Sequence, residues 1–360
     1  MRAAARVVAV VKSWFLSILL AFVVLAPDGA NAGDRFHHHR VIDRIIVFGD
    51  SLSDSGNAFA LLEGATVAPP DYGMAGVDPA TGIPDVIPLI PAAPYKTERF
   101  SNSKHTWIEL LAGAVGLGAK PAFAGSHRRA SNYAVGGARA NAAGAAPHLS
   151  QQVGFFFATG DLALSNALVV IEIGGNDIRD GVLTALLNGG IPEAGEPVVE
   201  AAAESVKQNI ETLYTLGARK FLVWNAPDLG STPALQRMSM FAIPNIDGIA
   251  TYLSMAYNTA LDIRLQDLRD GLAEIDIVQF NVFEKLHEIQ EHPRRFGLRD
   301  ATTACIEPNV PPDFPSSPPF RCKHPEDHFF WDGIHPTRAG HRIIALLVAK
   351  ELLSELVLDD

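Results

Sequence analysis

Short runs rich in valine and isoleucine recur at residues 45–48, 167–173, 221–224 and 275–280, with long stretches of helical period between them. A strand with one wet face alternates apolar and polar residues, so a nearly unbroken apolar run reads as a strand buried on both faces. Helices must then cover the sheet on each side. Segments 198–216, 249–268 and 338–356 carry apolar residues at the spacing of one helix face. Strands that alternate with helices build parallel sheets, so the pattern predicts an α/β fold: a three-layer α/β/α sandwich with a mainly parallel sheet. In open sheets of this kind, ligands bind beyond the carboxyl ends of the strands.

The first residues bear on where such a chain works. Arg2, Arg6 and Lys12 precede an apolar run at 14–26, and Ala30, Asn31 and Ala32 supply small residues where a signal peptidase reads. That is the three-part pattern of a secretory signal, with cleavage expected after Ala32. The competing reading is a membrane anchor, since 7–26 approaches the ~20 residues that span a bilayer. Lys12 interrupts that run, and export is the preferred reading, to the periplasm or the exterior. We therefore expect a signal peptide at 1–32, an N-terminal segment at 33–43 and one domain at 44–360, with no stable membrane span after cleavage. His37, His38 and His39 read as a solvated terminal segment rather than a metal site. The formal charge of −11 disfavours nucleic acid as a partner, because phosphate binding rests on lysine and arginine.

The chemistry sits at the ends of the apolar runs. F-G-D-S-L-S-D-S-G-N (48–57) puts Ser51 just past the first run, and D-G-I-H-P (332–336) puts Asp332 three residues before His335. A serine hydrolase needs a nucleophile, a base to take its proton and a carboxylate to orient that base. N-Y-A-V-G-G-A-R-A (132–140) and I-G-G-N-D (173–177) add glycines that allow close approach and an asparagine amide that can donate. Taken singly, each has a plainer reading: Ser51 as a turn former, Asp332 as a helix cap, Gly136 and Gly137 as packing residues, Asn176 as a strand terminator. Asp50, Asp54 and Asn57 read as acceptors for the backbone N–H groups that open the next helix.

Together and in this order, the four blocks resemble those of the GDSL, or SGNH, family of serine esterases and lipases. The resemblance spans 48–336 and implies a flavodoxin-like SGNH hydrolase fold. It implies Ser51 as nucleophile, His335 as general base and acid, and Asp332 as the partner of the imidazole. The oxyanion would be held by the N–H groups of Ser51 and Gly137 and the side-chain amide of Asn176, with Gly137 favoured over Gly136 by its place in the block. The implied reaction is carboxylic ester cleavage through an acyl-enzyme, on a small-molecule or lipid ester, with no metal or organic cofactor. The family also admits lysophospholipids, acetylated sugars and acyl transfer. A metallophosphoesterase is a poorer reading, because Leu52 stands where a ligand histidine is wanted. A binding protein that kept the fold without the chemistry is the alternative outside enzymes.

Cys305 and Cys322 are the only cysteines and flank a proline-rich stretch. Export favours a disulfide between them, stabilising by ~3 kcal/mol in the chain-entropy model; two free thiols are the alternative. Residues 63–98, rich in proline and glycine without a period, form an insertion that reads equally as a cover for the cleft or as a surface loop.

Overall fold

A computed structural model describes residues 42–67, 90–91, 95–124, 130–160, 163–306 and 322–358. The expected signal peptide, the three histidines after it and most of the 63–98 insertion lie outside the described residues.

The central sheet is parallel, with β1 (Arg44–Gly49), β2 (Ala167–Glu172), β3 (Lys220–Trp224) and β4 (Asp276–Phe280) side by side in that order. Residues 131–135 run along the free edge of β1. The Val47 N–H donates to the Ser131 carbonyl at 2.8 Å, the Tyr133 N–H to Val47 at 2.8 Å and the Val135 N–H to Gly49 at 3.1 Å. With this segment counted second in the chain, the spatial order is the 2-1-3-4-5 of flavodoxin-like sheets. The four apolar runs are these four strands, each matched to within about two residues at either end.

The described helices are α1 (Asn57–Leu61), α2 (Trp107–Ala114), α3 (Leu149–Ala158), α4 (Gly175–Leu187), α5 (Glu196–Thr215), α6 (Pro233–Phe241), α7 (Ile246–Gly271), α8 (Val282–Glu291) and α9 (Arg338–Leu358). The strands split their side chains between two cores, as a period of two requires. Ile46, Phe48, Val169, Ile171, Phe221 and Val223 pack on one face with α3, α4, α5 and α7. Ile45, Val47, Leu168, Val170, Leu222 and Trp224 pack on the other with α2, α8 and α9. That two-sided burial is why the runs carry so little polar alternation. No helix among the described residues is long and apolar enough to cross a membrane.

Beyond the sheet, β5 (Asp300–Ala304) pairs with β6 (His328–Phe330), and Cys305 and Cys322 form a disulfide just past β5. The bridge is buried in a small cluster with Tyr95, Ile306 and Trp331.

One ion pair lies inside the first core. Arg139 Nε donates to Asp180 Oδ2 at 2.8 Å, with the two side chains only 1% and 4% exposed. A second arginine nitrogen holds the Gly137 carbonyl at 2.9 Å, so the pair also fixes the glycine block. Replacing one partner alone strands a buried charge. Arg139→Met is expected to lower stability by ~3 kcal/mol or more in urea unfolding followed by circular dichroism, and a loss below ~1 kcal/mol would show that Asp180 is compensated otherwise.

Candidate active site

β1 ends at Gly49, where no side chain fits: a Cβ there would lie 2.4 Å from the Glu172 carbonyl oxygen. The Gln152 side chain then takes over from the sheet, accepting from the Gly49 N–H and donating to its carbonyl, both at 2.9 Å. The chain turns at once. Asp50 accepts from the Leu52 N–H at 3.2 Å, which leaves Ser51 at the tip of the turn. Asp54 accepts from the N–H groups of Gly56, Asn57 and Ala58 at 2.6–3.0 Å, capping α1 as its position in the sequence suggests. Asn57 donates to the carbonyls of Asn132 and Ala134, both at 2.8 Å, and so locks the serine turn to the second strand segment.

The Asp-His loop arrives from the far end of the chain. Asp332 Oδ1 accepts from the N–H groups of Ile334 at 2.9 Å and His335 at 2.7 Å, closing the loop on itself. Its Oδ2 lies 2.8 Å from His335 Nδ1, and His335 Nε2 lies 2.9 Å from Ser51 Oγ. The Phe100 ring stacks on the imidazole with centroids 5.4 Å apart. Burial pushes the Asp332 carboxyl up, but the His335 charge and the hydrogen bonds to it prevail and hold it below its ordinary value. Burial pulls His335 down, and the Asp332 charge, its hydrogen bond and Asp50 outweigh that, leaving the imidazole above its ordinary value. An ionised Asp332 places the imidazole proton on Nδ1, so Nε2 accepts from the Ser51 hydroxyl.

Gly136 and Gly137 are distinguished by their backbones. The Gly136 N–H is taken by Asp54 Oδ2 at 2.9 Å, whereas the N–H groups of Gly137 and Ser51 have no acceptor among the described residues. Gly137 has φ +78°, a conformation that favours glycine. Asn176 sits in the first turn of α4, where its amide donates to the Ala138 carbonyl at 2.9 Å and lies 3.4 Å from Asp50 Oδ2. Asp177 accepts from the N–H groups of Ala140 and Asn141 at 2.8 and 3.1 Å, tying the asparagine block to the glycine block.

All four blocks thus meet at the carboxyl edge of the sheet. The family model for GDSL-like lipases and acylhydrolases matches residues 45–348. The chain belongs to that family. Three Arabidopsis thaliana proteins it resembles are described as GDSL esterase/lipases. GDSL esterase/lipase At5g55050 is 29% identical with 93% of each chain covered. GDSL esterase/lipase At3g50400 is 26% identical, covering 88% of each chain. GDSL esterase/lipase 7 is 26% identical, covering 91% of this chain and 93% of its own. This places the GDSL hydrolase described here among ester-bond hydrolases.

Two carboxyl groups under the serine turn behave unlike Asp332. Burial pushes Asp50 up to about 6, against the Leu52 hydrogen bond and the charges of His335 and Arg179. Burial and the nearby Asp50 push Glu172 well above its ordinary value. Glu172 Oε2 lies 2.7 Å from Ser53 Oγ, which in turn accepts from the Trp107 indole at 3.1 Å. Glu172 ends an apolar strand, a position that carries no functional signal in the sequence. The same is true of Tyr95, whose hydroxyl donates to Asp332 Oδ2 at 2.7 Å from 237 residues away. Among the described residues, no group of three or more histidine, cysteine, aspartate or glutamate side chains is placed to hold a metal ion.

Next to the serine turn and the histidine loop lies a small apolar cavity of about 50 Å³, partly open to solvent, which Ser51 and His335 do not themselves line. Leu52, Pro227, Leu229 and Ile334 line its approach, and Leu286 and Ile344 lie deeper in the second core. Because Asp332 is the chief group raising the His335 pKa, Asp332→Asn should move the imidazole titration to lower pH in ¹H–¹⁵N spectra. A midpoint that stays put or rises would mean that Asp50 dominates instead.

Proposed function

We propose that the chain hydrolyses carboxylic esters by a serine mechanism in which Ser51 forms an acyl-enzyme. The observation that carries the reading is the continuous relay from Ser51 Oγ to His335 Nε2 at 2.9 Å and from His335 Nδ1 to Asp332 Oδ2 at 2.8 Å. In this mechanism Nε2 takes the Ser51 proton as Oγ attacks the ester carbonyl carbon. Asp332 stabilises the imidazolium that results. The carbonyl oxygen, now negative, is held by the N–H groups of Ser51 and Gly137 and by the Asn176 amide, whose long contact to Asp50 is the one readily exchanged. The tetrahedral intermediate collapses, the imidazolium gives its proton to the leaving alkoxide, and a water activated by His335 then releases the acid.

The apolar cavity bears on the substrate. It is bordered by Leu52, Ile334 and Pro336, the chain neighbours of Ser51 and His335, and its walls are mostly aliphatic and aromatic, whereas Arg99, Ser101, Ser103 and Thr106 line the space directly against Ser51 and His335. That lining has room for a small apolar group of an ester, where burial of a methylene is worth ~0.8 kcal/mol. Residues 44–360 act as a single hydrolase domain in this reading, and 1–32 direct export, which suits the disulfide.

Hydrolysis of an acyl series from acetyl to palmitoyl, by the wild type and Ser51→Ala in parallel, tests the proposal. The wild type should turn over esters, and the variant should not. Equal activity in both would remove Ser51 as the nucleophile.

The acid limb of the pH profile follows from the sign of the His335 shift. The base form is lost as pH falls through a pKa above 6.5, so kcat/KM should decline about tenfold per unit below that point. Asn176→Ala should lower kcat by ~10²–10³ with KM little changed, since its contact strengthens only as the oxyanion develops. A rise in KM at constant kcat would instead make Asn176 a substrate binder.

A further inference from the structure

Asp332 holds more donors than the relay needs. Its Oδ2 accepts from His335 Nδ1 at 2.8 Å and also from the Tyr95 hydroxyl at 2.7 Å. Both Tyr95 and Asp332 are buried, at 5% and 6% exposure. The phenol is itself firmly placed. Its ring meets Trp331 edge-on with centroids 5.8 Å apart, within the cluster that contains the Cys305–Cys322 disulfide and Ile306. Backbone bonds join that cluster to the histidine loop, from the Ile306 N–H to the Trp331 carbonyl and from the Trp331 N–H to the His335 carbonyl, both at 2.7 Å. Tyr95 therefore belongs to one body with the Asp-His loop, although it lies in the insertion at 63–98.

A carboxylate oxygen shared by two donors carries less charge toward each, and its plane is fixed by both. We propose that Tyr95 is a positioning residue of this hydrolase, setting through Asp332 both the orientation and the basicity of His335. The proposal rests on the serine mechanism above. Without the phenol, Oδ2 would be left to the imidazole alone, so Asp332 would hold His335⁺ more strongly and its plane would rest on the two backbone N–H groups and His335 only. Among the described residues, the other charged or titratable groups around His335 are Asp50 from the serine turn, Arg99 and the more exposed His105 from the segment before α2, and His341 from α9. Arg99 is paired with Glu109 at 2.9 Å. His341 is pushed down to about 3 by burial and the nearby positive charges, and accepts from the Trp107 N–H as a neutral ring. Neither contacts Asp332 Oδ2, so the effect of Tyr95 can be read separately from theirs.

The test is Tyr95→Phe, which keeps the ring on Trp331 and removes only the hydroxyl. Its kcat on an octanoyl ester should fall about tenfold with KM unchanged, the scale of one hydrogen bond to a charged group. The acid limb of kcat/KM should move to higher pH, a shift that a purely structural role would not cause. Incorporating 3-fluorotyrosine at position 95 supplies a stronger donor in nearly the same shape and should move that limb to lower pH, which keeps the test available if the phenylalanine variant fails to fold. An active wild type whose two variants retain its kcat and its acid limb would overturn the proposal. If the wild type hydrolyses no ester and Ser51 resists a fluorophosphonate probe, the serine reading fails instead. The His335 Nδ1–H proton resonance, recorded in Ser51→Ala with and without Tyr95→Phe, then decides the Tyr95 contact: displacement supports it and an unchanged resonance overturns it.

Discussion

The parallel pairing of β1 on both edges governs the rest of this molecule. Ile46, Val47 and Phe48 are fully buried, so their backbone groups find partners only in the sheet, with residues 131–135 on one side and β2 on the other. Three consecutive chain segments in space therefore end at one edge, and the serine, glycine and asparagine blocks are the turns that leave them. The tight approach at Gly49 and the paired amide of Gln152 fix where β1 stops, and hence where Ser51 stands.

Around that edge, one residue type plays several parts because its hydrogen-bond donors differ. Asp54 and Asp177 spend their oxygens on backbone N–H groups and knit the blocks together. Asp332 faces an imidazole, a phenol and two backbone N–H groups, and the positive partner keeps it ionised. Asp50 and Glu172 have fewer donors and each other for company, so burial dominates and raises both above their ordinary values. The site thus combines one carboxylate held charged against the histidine with a pair beneath the serine that resists ionisation.

Much of this was legible along the chain. Val169 and Val170 face opposite cores, and an apolar residue at every position is the direct record of a strand covered on both sides. The order of the four blocks was equally readable, because each is local: Asp332 and His335 are three residues apart, and Asp54 caps a helix that begins three residues on. The choice between Gly136 and Gly137 was not local. What distinguishes them is Asp54, which takes the Gly136 N–H across 82 residues of chain and leaves that of Gly137 without an acceptor among the described residues. Glu172 was hidden for a similar reason, since a carboxyl closing an apolar run has no sequence signal until Ser53 and Asp50 are found beside it.

The sequence by itself determined the α/β class, the strands and the local turns, because hydrophobic periodicity and turn chemistry act between near neighbours. Only the tertiary structure decided which groups share an oxygen, which N–H remains open and where an apolar cavity begins. Those depend on atoms brought within about 3 Å by a sheet that closes over more than a hundred residues of chain. Tyr95 is the clearest case: an ordinary tyrosine in an irregular stretch, it acquires significance only where the disulfide cluster sets its hydroxyl 2.7 Å from Asp332.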